Sequence, residues 1–268
     1  VRSTALRMVA RFPDPQLPER RAAVFSWIQT LTEPQDVPLA YLAPKTVQRS
    51  QSTGPDEEPE RFTLLSEPGV TLPGPLWRPH PSAERPPVVV LLDDRGKARV
   101  ASSGLVPPLL QAGFAVLSVD LRGRGESLDR YGPRHDINFR LVASQVLSGQ
   151  PLAGRRAFDV RRIVDFLHLR SDLTASNLTV VGVGDEALSV LLAAARDPRI
   201  HRVAMADSFH SFTSAMRARH PPAKAEMGNA WNDPQLDGRI ESGRYPVDLG
   251  GVIPSVLKFA DMPDLVAV

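Results

Sequence analysis

The chain has 268 residues, 42% of them hydrophobic, with 32 basic against 30 acidic side chains. That is enough apolar content for one large or two small packed domains, and it carries no charge excess of the kind nucleic-acid binding demands. Cysteine is absent and the six histidines (80, 135, 168, 201, 210, 220) show no H-x-x-x-H spacing, which excludes disulfides, thiolate metal sites and helical zinc pairs; His201 and His210 read as surface or packing residues.

Residues 18–31, PERRAAVFSWIQTL, predict an amphipathic helix with proline at its start and Val24, Phe25, Ile28 and Leu31 on one face. From Thr46 to Pro59 the sequence turns polar with Gly and Pro, the composition of a linker. Residues 61–79 predict a hairpin turning at Pro68-Gly69. VVVLL (88–92) is a continuous apolar run, as in a strand buried on both faces. A helix over 100–112 comes next, interrupted by Pro107-Pro108, and then a strand over 114–120. After a long excursion, 156–170 predicts a helix with Val160, Ile163, Val164 and Leu167 on one face. A strand (178–182), a helix (185–196) and a strand (202–207) succeed it. Residues 208–250, with Trp231, are polar and loop-rich, and 251–268 hold one short helix. Alternating strands and helices predict a parallel sheet. No apolar run approaches the ~20 residues of a membrane span, and the start shows no secretory leader pattern.

The stretch TVVGVGDEALSVLLAAA (179–195) concentrates the functional question. A β-branched run meets Gly182-Val183-Gly184, and a helical pattern begins at once. Gly182, Gly184 and Ala187 match the G-x-G-x-x-A dinucleotide fingerprint, and Asp207 closes the next strand where a ribose-binding carboxylate would sit. The same order of strand, tight turn and helix builds the G-x-S-x-G nucleophile elbow, but no serine stands at the apex.

Other segments favour the elbow. FAVLSVDLRGRGES (114–127) resembles the segment after the fourth strand of α/β-hydrolases, an Asp followed by R-G-x-G-x-S. PPVVVLLDDRGKA resembles their third strand and oxyanion loop. Gly154, Arg156 and Asp159 resemble the G-x-R-x-x-D that precedes the nucleophile strand in acetyl xylan esterase-like hydrolases. DPRIHRVAMAD and YPVDLGGVIPSVLKFADMPDLVAV resemble the segments C-terminal to the elbow in these enzymes. The resemblance, over residues 60–268, implies an α/β-hydrolase-like, mainly parallel sheet with helices on both faces, whose last strands are not found before Val268. It implies acyl transfer to water from an acylated carbohydrate or small ester, with no cofactor, no nucleic acid and no membrane span, and export is compatible with it. Residues 1–59 then form an N-terminal helix and linker. RRAAVFSWIQTL also resembles the last helix of such hydrolases, which gives an alternative reading of this segment as the tail of a preceding hydrolase-like domain in tandem.

On this alignment Gly184 is a vacant nucleophile position. Asp185, one residue on, is either an aspartate nucleophile or a carboxylate that favours the helix N-terminus. The oxyanion donors implied are the backbone N–H groups of Asp94, Arg95 and Asp185. The side chains of Asp93, Asp94, Asp185 and Glu186 would oppose an oxyanion if they pointed inward, and Asp93-Asp94 otherwise reads as a solvated strand end. Ser189 lies inside the helix. Arg156 and Asp159, three apart, predict a helical ion pair. Asp207 and Asp261 are carboxylates without a histidine to orient, and His210 and His220 come too early for the family's histidine. Three readings stand: an ester hydrolase, a non-catalytic pseudo-hydrolase domain that binds or supports, and a dinucleotide-binding domain.

Overall fold

The computed structural model describes residues 18–32, 37–38, 42–48, 58–80, 83–128, 137–208, 211–212, 253 and 262. The elements run α1 (Pro18–Thr32), β1 (Lys45–Gln48), β2 (Glu60–Glu67), β3 (Val70–Trp77), β4 (Pro87–Asp93), α2 (Lys97–Ser102), α3 (Val106–Gln111), β5 (Ala115–Ser118), α4 (Ile137–Leu147), α5 (Leu152–Leu169), β6 (Thr174–Val183), α6 (Glu186–Ala194) and β7 (Ile200–Ala206). Seven strands form one sheet in the order β1-β2-β3-β5-β4-β6-β7. The first three are antiparallel to their neighbours, and β5, β4, β6 and β7 run parallel.

The central strands show why their sequences are apolar without interruption. Val88, Val90 and Leu92 of β4 enter the larger core, while Val89 and Leu91 enter a second core on the opposite face. Successive side chains of a strand alternate between faces, so a strand covered on both sides needs apolar residues at every position. Helices α1, α5 and α6 supply the larger core. Helices α2 and α3 cover the other face through Val100, Val106, Leu109 and Leu110.

Four expectations are corrected. The stretch read as a linker adjoins β1, which pairs antiparallel with β2, so Thr46–Gln48 belong to the sheet. The helix over 100–112 is two helices, because Pro107 and Pro108 lack a backbone N–H and fit only the first turn of a new helix starting at Val106. The long excursion contains α4. In α1, Val24, Trp27, Ile28 and Leu31 are buried in the larger core, whereas Phe25 is partly exposed beneath the Arg196 guanidinium, 5.0 Å from the ring centroid. Helix α1 thus packs in the same core as the sheet. The expectations for His135, His210, His220, Trp231, Asp261 and most of the closing helix lie outside the described residues; Ile253 and Met262 are buried in the larger core.

The chain builds β4 and β5 side by side, then crosses to the other flank of β4 to lay down β6. Such a reversal of strand order opens a crevice at the carboxyl ends of the strands, where open α/β sheets place their ligands.

Candidate functional site

Three loops converge at that reversal: Asp93–Gly96 after β4, Asp120–Ser127 after β5, and Gly184–Asp185 between β6 and α6. Strand register brings the first and third together. Asp93 stands beside Val183, and Val183 beside Ala206. The next residues continue the ladder, with Asp94 N–H donating to Val183 O (3.3 Å) and Gly184 N–H to Ala206 O (2.9 Å).

Gly182 and Ala187 meet where the helix crosses the end of the strand: a Cβ on Gly182 would lie 2.6 Å from Ala187 Cα. Gly184 adopts φ +65, a left-handed backbone that glycine reaches without strain. The space a side chain would need there is taken: a Cβ on Gly184 would overlap the Asp94 carboxylate. Asp94 Oδ2 also accepts the N–H of Asp185 at 3.1 Å.

Each expected oxyanion donor therefore has an internal partner. Asp94 N–H serves the ladder, Arg95 N–H donates to Asp93 Oδ1 at 2.9 Å, and Asp185 N–H holds Asp94. Of the four carboxylates that could have turned inward, Asp94 does so. Asp93 is tied to its own loop through Arg95. Asp185 lies 3.8 Å from Arg124 Nη2, with no side-chain capping bond to its helix. Glu186 is fully buried, accepting from Arg124 Nε at 2.9 Å and lying 3.5 Å from Arg156 Nη1. Burial pushes the Asp94 carboxyl above its usual 3.8, aided by the charge of Asp93; the bond from Asp185 and the charge of Arg124 only partly offset this.

Asp120 closes the second loop. Its carboxylate accepts from Lys97 N–H (2.7 Å), from Glu126 N–H (2.9 Å) and from the Lys97 ammonium. Cβ atoms on Gly96 or Gly125 would run into that carboxylate, which accounts for glycine at both positions.

The predicted Arg156–Asp159 pair does not form. Asp159 accepts instead from Ser66 Oγ and from Arg122, through its N–H at 3.2 Å and Nε at 2.9 Å. Arg156 reaches Arg122 O at 3.0 Å and Glu186. The partners come instead from β2, the loop after β5, and the start of α6. Arg122 and Arg124, members of the R-G-x-G motif whose side chains had no predicted role, are the residues sequence reasoning missed.

Asp207 follows the end of β7 with φ +53 and is exposed. Ser189 is buried within α6. His168 Nδ1 contacts Val164 O and His201 Nδ1 contacts Arg199 O, each at 2.9 Å, positions away from the elbow. Among the described residues no group of three or more His, Asp or Glu is arranged to hold a metal ion, and no helix is long and apolar enough to cross a membrane.

No protein-family model matches the chain, and no curated protein matches it. Solved structures do. A candidate acetyl xylan esterase from Bacteroides fragilis superposes with a TM-score of 0.63 at 15% identity, over 92% of this chain and 64% of that one. A glucuronoyl esterase from Solibacter usitatus superposes with a TM-score of 0.51 at 17% identity, over 69% of this chain and 57% of that one. This chain therefore spans under two thirds of the length of either. With the observed strand order, these likenesses show an α/β-hydrolase-like fold.

Proposed function

We propose that this chain is an acetyl xylan esterase-like α/β-hydrolase-fold domain that does not hydrolyse esters at its elbow and acts as a binding or supporting domain. One observation carries the reading: above Gly184, which has no side chain, the Asp94 carboxylate holds the N–H of Asp185. Ester hydrolysis at an elbow needs a nucleophile and backbone donors aimed at the developing oxyanion. Glycine supplies no nucleophile, and a resident carboxylate repels the negative charge those donors are there to stabilise. Acylated carbohydrates or small esters are the chemical class the neighbours' names point to, here as something bound rather than cleaved. The dinucleotide reading loses its support, since the strand order is that of a hydrolase-like sheet and the start of α6 already faces a carboxylate.

The test is hydrolysis of 4-nitrophenyl acetate by the purified chain, paired with labelling by a fluorophosphonate probe. The expected result is turnover no faster than in a heat-denatured control and no covalent adduct. Turnover abolished by Asp185→Ala would overturn the reading and make Asp185 the nucleophile.

A further inference from the structure

Two loop carboxylates sit at the mouth of the crevice, and they are held very differently. Asp120 is gripped by two backbone N–H groups and an ammonium, and its side chain is 1% exposed. Asp94 takes one backbone N–H, that of Asp185, and its side chain remains 26% exposed. Asp94 also faces mixed charge. Asp93 of its own loop repels its charged form and hydrogen-bonds its protonated form, Arg95 Nε lies 3.8 Å from Oδ1, and Arg124 of the loop after β5 attracts it. On the elbow side, Asp185 and Glu186 are both drawn to Arg124. Asp94 is thus a carboxylate resting on an N–H donor beside a guanidinium, reached by water and opposed by a like charge.

We propose that Asp94 is a displaceable, autoinhibitory latch: charged, it closes the elbow by occupying the N–H of Asp185 and the space over Gly184, and its neutralisation or removal opens that seat to a small carboxylate ion. The proposal rests on the reading of the elbow as non-hydrolytic, because a working elbow would keep that N–H for its oxyanion. The latch holds above the carboxyl's titration range and releases below it. The raised position of the Asp94 carboxyl, caused first by burial, moves that release upward from the ordinary aspartate range.

The experiment monitors the Asp185 amide by 1H–15N NMR, with sodium acetate as the probe. In the parent chain at pH 7.5, acetate is expected to leave this resonance in place. In Asp94→Ala at the same pH, acetate is expected to shift it saturably. A well-folded Asp94→Ala that gives no saturable shift overturns the latch, and so does a parent chain that shifts equally. Should Asp94→Ala not fold, a pH titration of the parent decides. The Asp185 amide is expected to move with the Asp94 carboxyl carbon at one midpoint above 3.8, and an amide that stays still while Asp94 titrates overturns the proposal. Acetyl-ester turnover, assayed separately, reports on the non-hydrolytic reading and leaves these shifts untouched.

Discussion

A side chain at position 184 meets two obstacles at once. Its backbone sits at φ +65, which costs a non-glycine residue roughly 1–2 kcal/mol. Its Cβ would also displace Asp94 from Asp185 N–H. Gly184→Ser, the change that would spell an elbow serine, is therefore expected to lower stability by ~1–3 kcal/mol in urea denaturation and to produce no aryl acetate turnover. Adding Asp94→Gly should recover part of that loss. A double-mutant cycle showing simple additivity would mean that the two positions do not compete for one space. Asp94 also sets a pH dependence. Its folded carboxyl titrates above the unfolded value of 3.8, so the folded state binds more protons in between and loses stability as pH rises through that window. Asp94→Asn should thus melt above the parent at pH 7, with the gap closing below pH 3.8. Asp197 behaves oppositely. Burial would raise its carboxyl, but the hydrogen bonds from the Arg199 side chain and N–H outweigh burial and hold it below 3.8. Asp197→Asn should destabilise at pH 7, and that penalty should vanish as acid protonates Asp197 in the parent. Melting temperatures across pH check both signs.

Elements approach closely where the sequence leaves out a side chain. Gly154, in the first turn of α5, lies against the end of α1, and a Cβ there would overlap the carbonyl oxygen of Leu31. The overlap is with backbone, so it cannot be relieved by a rotamer change. Gly154→Ala is expected to push α1 off α5 and cost ~1–3 kcal/mol by overpacking, measurable by chemical denaturation. A cost near zero would show that α1 shifts freely. The glycine of the G-x-R-x-x-D motif thus has a packing explanation that its spacing alone did not reveal. Legibility at this scale tracks burial. Strands β4 and β5 were readable because two-faced burial demands uninterrupted apolar runs. Strand β1, KTVQ, is a four-residue edge strand whose polar residues match a linker equally well. Helix α4 carries Asn, Arg, Ser and Gln among its apolar residues, so no clear stripe marked it. At the site, the succession of strand, glycine turn and helix was legible. What occupies the turn depends on Asp93 pairing beside Val183, a register between distant strands that no local pattern encodes.

Across the molecule, a buried chain of charges ties the end of β2 to the start of α6. Ser66 and Glu67 meet Arg122, Arg122 meets Asp159, Arg155 meets Glu67, and Arg156 links Arg122 O to Glu186, where Arg124 also ends. Asp159 and Glu186 are fully buried, and each is paired with arginine, as buried carboxylates require. Burying such a pair gains little over an apolar replacement, whereas removing one partner strands the other. Asp159→Ala should therefore cost ~3–5 kcal/mol, because it leaves the buried Arg122 guanidinium with only Glu67 as a charged partner, beside the Ser66 hydroxyl. Replacing Asp159 and Arg122 together by Leu and Met should cost much less than that single change. Urea denaturation of the two variants discriminates the roles. If the double variant is as unstable as Asp159→Ala, the network supplies net stability. If it is close to the parent, the charges chiefly fix the geometry of the loop after β5 against the elbow, and the Asp185 amide resonance should then report a changed environment although the protein remains folded.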